Sequence, residues 1–206
     1  MKKFFTIKLN FNREIVIITI VSTLLIIIDQ YHNFTGTKAF DRFIIFLIIP
    51  ILIILLVEKR PLRDYGFQLG DWKAGLTITV VSILIMAPIL YFLTKADSSM
   101  INYYSDRYST RMIGLVFLDL IGWEFLFRGW ILFSYVRKFG DDALWLQAVP
   151  FAIAHIGKPE VETLSTIFGG FLFGLIGWKT KSFLYPFLIH LFVNVFTVMV
   201  AAGVIG

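Results

Sequence analysis

Residues 112–136 read MIGLVFLDLIGWEFLFRGWILFSYV, and this stretch decides the fold. A helix needs about 20 apolar residues to cross a bilayer core, and the run is long enough. Yet Asp119, Glu124 and Arg128 interrupt it. Ionisable side chains are costly in lipid, and those that persist there mark function or helix pairing. Glu124 and Arg128 are four residues apart, so on a helix they share one face and can pair. Asp119 precedes Glu124 by five residues, projects away from that face, and is expected to cap a helix or bond a neighbouring one.

Moving outward, six more apolar runs appear. Residues 15–28, extendable from Phe11, form the first; 43–57, with Pro50 inside, the second; 74–94, kinked at Pro88, the third. After 112–136 come 143–156, then 164–178 and 183–203. Gly170 and Gly174 in the sixth run are a small-xxx-small pair that lets helix backbones approach closely. Between the runs lie polar segments. Residues 62–72 mix charges with Leu62, Tyr65, Phe67 and Leu69 and are expected at the membrane interface. Residues 95–111 carry Tyr103, Tyr104 and Tyr108, which suit headgroup level.

Composition agrees. The chain is 58% hydrophobic and only 16% charged over 206 residues, against about a quarter charged in soluble domains. Mean hydropathy is +0.80. The expectation is an all-α, polytopic transmembrane bundle of about seven spans plus an interfacial helix. It forms one membrane domain, 1–206, with its motif-bearing core at about 112–203. There is no cysteine, which excludes disulfides and zinc–thiolate sites. The net charge of +5 resides in short loops, so it reads as an orientation signal rather than a nucleic-acid patch. The segment Met1-Lys2-Lys3-Phe4-Phe5 precedes a long polar stretch and no small-residue cleavage site follows, so the first run is read as a retained span. With the N-terminus in the cytoplasm, Lys2, Lys3, Lys8, Arg13, Lys59, Arg60, Arg63, Lys73, Arg137, Lys138, Lys179 and Lys181 fall inside. Lys38, Arg42, Lys95, Arg107, Arg111 and Lys158 fall outside. That bias favours a multi-pass cell-membrane protein in this orientation.

Two further polar insertions accompany Glu124 and Arg128. The fifth run ends in Phe151-Ala152-Ile153-Ala154-His155, and the seventh holds His190-Leu191-Phe192-Val193-Asn194. His190 and Asn194 share a face, well inside a span. A carboxylate and two imidazoles on three helices suit hydrolysis. A carboxylate or imidazole can deprotonate water, and an asparagine or imidazole can donate to the oxyanion formed at a peptide carbonyl. No serine sits in a Gly-x-Ser-x-Gly turn. Two histidines and a glutamate (His155, His190 and Glu124) can also ligate zinc, but no His-Glu-x-x-His helix is present, so zinc ranks second and no cofactor is the first expectation. Bland readings stand beside these: an ion pair pinning helices for Glu124 and Arg128, interhelical hydrogen bonds for the histidines and Asn194. Glu160 and Glu162 are read as a solvated loop.

The order and spacing of the motifs resemble the CPBP family of CAAX-protease and bacteriocin-processing membrane proteins, also called Abi. That family shares Glu-Glu-x-x-x-Arg, often continued as Phe-Arg-Gly, then Phe-x-x-x-His, then His-x-x-x-Asn. Phe127-Arg128-Gly129, Phe151 with His155, and His190 with Asn194 match. The resemblance spans roughly residues 112–194, with weaker likeness at 60–72. It implies an intramembrane endopeptidase of glutamate type, cleaving membrane proteins or peptides, lipidated in the eukaryotic members, within the lipid bilayer and with no nucleic-acid partner. A motif-one glutamate and the motif-two histidine would activate water, and the motif-three histidine and asparagine would form the oxyanion site. On this basis Glu124, His155, His190 and Asn194 are the expected catalytic residues, lining a shared cavity, with Arg128 and Phe151 supporting. One departure stands out: Trp123 occupies the position of the first glutamate, and an indole cannot accept a proton. Glu124 would have to turn about 100° around the helix to replace it. Either the base is shifted, or the fold serves as a binding scaffold without peptidase activity.

Overall fold

The structure, a computed structural model, describes residues 9–206. Lys2, Lys3, Lys8 and the opening Met1-Lys2-Lys3-Phe4-Phe5 segment lie outside the described residues. The described chain is all helical. The helices are α1 (Arg13–Tyr31), α2 (Lys38–Glu58), α3 (Trp72–Ala96), a short α4 (Ser98–Tyr104), α5 (residues 112–139), α6 (Ala143–Ile153), α7 (Glu160–Thr180) and α8 (Leu184–Ala201). Five of them, α1, α2, α3, α7 and α8, are long and apolar enough to cross a membrane. Helix α5 carries too much charge along its length to be simply apolar, and α6 is short. The chain is a membrane protein.

Successive connections gather at opposite ends, as up-and-down spans require. At one end Asp71 N–H donates to Thr180 O (2.9 Å) and Phe183 N–H to Gly66 O (3.3 Å). There Arg137 pairs with Glu14 at 2.5 Å. Trp130 Nε1 donates to Glu58 at 3.0 Å, and the Tyr65 hydroxyl bonds the same carboxylate. At the other end Arg42 joins Asp29 and Asp119 (3.0 and 3.1 Å), and the Tyr104 hydroxyl donates to Glu162 at 2.6 Å.

Two segments differ from the sequence reading. Residues 62–72 form one 3-10 turn, Leu62–Tyr65, rather than an interfacial helix. Tyr65 and Gly66 are buried there, while Phe67, Leu69 and Trp72 stay exposed, as an interfacial segment requires. Conversely, the polar stretch after α3 makes the short helix α4, started by Asp97, whose side chain accepts from Ser99 N. Glu162 is likewise no solvated loop residue: it opens α7 and bonds both Tyr104 and Lys158.

Helices α6 and α7 form a close hairpin. A side chain at Gly170 would begin 3.0 Å from the Ala148 Cβ and 3.1 Å from the Phe151 ring. Only a glycine lets the backbones approach so closely. Helix α6 has 11 residues, a rise of about 16 Å, which is roughly half a bilayer core. His155, just past its end, therefore reaches the level of Glu124 in mid-span α5.

Candidate active site

Helix α5 changes character right after Glu124. Residues Phe125–Ile131 take a wider, π-type winding, a distortion that recurs at functional sites. Glu124 and Arg128 keep their pairing through it, Nη1 to Oε1 at 3.2 Å, and both side chains have no exposure. Such a pair survives burial only when further partners offset the lost hydration. Arg128 finds one in the Phe151 ring, 3.7 Å below its guanidinium carbon, and a long 3.5 Å contact to Gly170 O. Gln147 donates to that same carbonyl at 2.7 Å. The Arg128 Nε and Glu124 Oε2 have no partner among the described residues.

His190 is the second partner of Glu124. Its Nδ1 lies 2.6 Å from Oε1. A carboxylate accepts, so Nδ1–H donates and Nε2 is left as the basic nitrogen. His155 is held differently: its Nδ1 donates to Phe151 O at 2.8 Å, the carbonyl one turn back, again leaving Nε2 unprotonated. The two imidazoles face each other with centroids 6.4 Å apart and planes within 23°. Phe151 thus carries Arg128 on its ring and His155 on its carbonyl, which explains the Phe-x-x-x-His spacing.

Trp123 sits where an acid would complete this arrangement. Its ring meets His155 edge-on at 5.4 Å and packs on Phe46, Phe127 and Phe151. Arg42 of α2 lies 4.9 Å from its centre. One turn earlier, Asp119 takes the other side of the same arginine. In the sequence, Arg42 reads only as a loop charge. What tied it to the site was its place at the start of a span, facing an acid in another span, and pairing between spans cannot be read from spacing within one.

Among the described residues, a cavity of about 270 Å³ opens at this end of the bundle, lined by Trp123, His190 and Asn194 together with Arg42 and Asp119. Glu124 and His155 do not line it, contrary to the expectation of a shared cavity for all four. Glu124 is sealed behind His190 and Arg128, and His155 behind Trp123. The fit to zinc is poor: no group of three His, Cys, Asp or Glu among the described residues is arranged to hold a metal ion.

Comparison with known proteins points the same way as the motifs. Residues 107–196 match the family model described as Type II CAAX prenyl endopeptidase Rce1-like. No curated protein and no solved structure matches the chain. The matched region starts just before α5 and ends two residues past Asn194, so it encloses all three motifs. That match, confined to residues 107–196, agrees with the resemblance of the three motifs to the CPBP family of CAAX-type membrane proteases.

Proposed function

We propose that the protein is an intramembrane peptidase in which Glu124 and His190 act as one acid–base couple. The single observation that carries this reading is the 2.6 Å contact between Glu124 Oε1 and His190 Nδ1. A buried carboxylate on one imidazole nitrogen fixes the tautomer and the ring orientation, as in hydrolases that use an orienting acid. His190 Nε2 then takes a proton from water in the cavity, and the hydroxide attacks a peptide carbonyl. Asn194, one turn on, supplies an amide N–H to the developing oxyanion. The proton that His190 Nε2 has taken then passes to the leaving amine as the C–N bond breaks, while His155, edge-on to Trp123 and fixed by Phe151 O, positions the ring that walls the cavity. The substrate is a membrane-associated protein or peptide. With the N-terminus cytoplasmic, the cavity opens on the outer face.

Purified protein in detergent, given fluorogenic apolar peptides, tests the reading. His190→Ala and His155→Ala each abolish cleavage while the variants remain folded and membrane-inserted. Undiminished cleavage in both variants overturns it. The rival reading, a binding scaffold without activity, is favoured by Trp123, and a parent protein that cleaves nothing supports that reading.

A further inference from the structure

The cavity next to His190 and Asn194 carries more positive charge than hydrolysis needs. Lys38, Arg42, Arg107 and Lys158 line it, against one acid, Asp119. Three of the cations have carboxylate partners. Lys38 and Arg42 share Asp29, Arg42 also holds Asp119, and Lys158 pairs with Glu162 at 2.8 Å. Four cations thus meet three carboxylates, Asp29, Asp119 and Glu162, which leaves one positive charge.

That charge belongs to Arg107. Its Nε donates to Tyr103 O at 3.0 Å, and its guanidinium lies 4.0 Å over the Tyr103 ring. It touches no carboxylate among the described residues. Backbone bond and ring together hold the side chain in place, while both terminal nitrogens stay free to fork onto an oxyanion. A preorganised guanidinium loses little freedom on binding.

The rim adds a second kind of surface. Ile156 lines the cavity and is 68% exposed; Ile153 and Val149 are also exposed and precede it along α6. In a bilayer this aliphatic stripe leads from the charged mouth toward the hydrocarbon. A soluble anion would use the charge and ignore the stripe, whereas a lipid uses both. We propose that the cavity binds the phosphodiester of an anionic phospholipid, with an acyl chain along Val149, Ile153 and Ile156. A guanidinium with free terminal nitrogens suits a phosphodiester oxyanion, and the excess of one charge matches a phosphodiester monoanion. This site stands whether or not the protein cleaves peptides.

Native mass spectrometry of the full chain in detergent, titrated with phosphatidylglycerol or phosphatidylcholine, tests it. Phosphatidylglycerol is expected to bind more tightly, and Arg107→Gln to weaken it about fivefold, the worth of one basic residue at an anionic surface. Ile156→Ser weakens it too, and Lys179→Gln, at the opposite end, does not. Equal binding of the two lipids, or an unchanged preference in Arg107→Gln, overturns the proposal. So does inorganic phosphate binding as tightly as the lipid, which makes the source a free anion. Displacement of phosphatidylglycerol by an apolar peptide carboxylate but not by its amide overturns it as well, in favour of a peptide site.

Discussion

One oxygen of Glu124 is shared by His190, 2.6 Å away on α8, and by Arg128, 3.2 Å away on its own helix. Glu124 therefore neutralises a fully buried guanidinium and orients an imidazole at once. Glu124→Gln keeps the shape and removes the charge. Breaking a buried ion pair from one side costs about 3–5 kcal/mol, because the remaining charge has no countercharge. For a chain of this size that is a fall of roughly 10 °C in the unfolding midpoint, measurable by thermal unfolding in detergent. Glu124→Gln combined with Arg128→Met recovers much of the loss, since the charge left behind is then gone. An unchanged midpoint in Glu124→Gln would show that the pair does not hold the helices.

Trp123→Glu tests the consequence of a tryptophan where the motif it resembles has its first glutamate. The ring lies between Arg42 at 4.9 Å and His155 at 5.4 Å. A carboxylate at that position has a cation on one side and an imidazole on the other. If the parent is a degenerate enzyme, the substitution creates cleavage that the parent lacks. If the parent is active through Glu124 and His190, the added acid is not needed and Glu124→Gln alone stops the reaction. Positioned acid–base groups contribute about a hundredfold or more to rate, so a peptide-cleavage assay separates these outcomes.

Most of the spans are legible in the sequence, because their apolar runs are long, and so is the pairing of Glu124 with Arg128, because it is local. What lay beyond the sequence is the meeting of distant side chains. The contact of Glu124 with His190 bridges two helices 66 residues apart, and the spacing within either helix allows it without requiring it. Arg42 was hidden for the same reason, since a cation at the start of a span reads as an orientation signal. The depth of His155 was obscured by helix boundaries. Reading 143–156 as a full span set the histidine at the membrane surface, whereas the helix stops at Ile153 and leaves it mid-bundle. The wide turn after Glu124 has no signal in residue type, as Phe125–Ile131 is an ordinary apolar run except for Arg128.

Gly170 and its neighbour Gly169 make a matched pair for packing. A Cβ at Gly170 lands 3.0–3.2 Å from Ala148 and Phe151, while at Gly169 nothing lies within 4 Å. Gly170→Ala forces α7 off α6 and costs about 1–3 kcal/mol. It also shifts Phe151, so any peptidase activity falls with stability. Gly169→Ala stays within roughly 0.5 kcal/mol of the parent. Unfolding midpoints of the two variants decide the matter, and equal midpoints would mean that the hairpin tolerates separation.

Tyr104 gives the alkaline limb of stability a specific source. Its hydroxyl is buried at the membrane end of α4 and donates to Glu162 at 2.6 Å. Burial, and then the negative charge of Glu162, push its pKa well above the ordinary value of 10.0. In the unfolded chain the phenol ionises near that ordinary value, so there the unfolded state loses its proton first. The folded state then binds more protons, and stability falls as pH rises. The contribution is complete below about pH 10 and declines above it. Tyr104→Phe removes the titrating group along with its bond to Glu162. The variant is therefore less stable than the parent at about pH 8, and the gap narrows toward about pH 11. Unfolding midpoints of parent and variant across that range check the sign; parallel curves would show that Tyr104 ionises alike in both states.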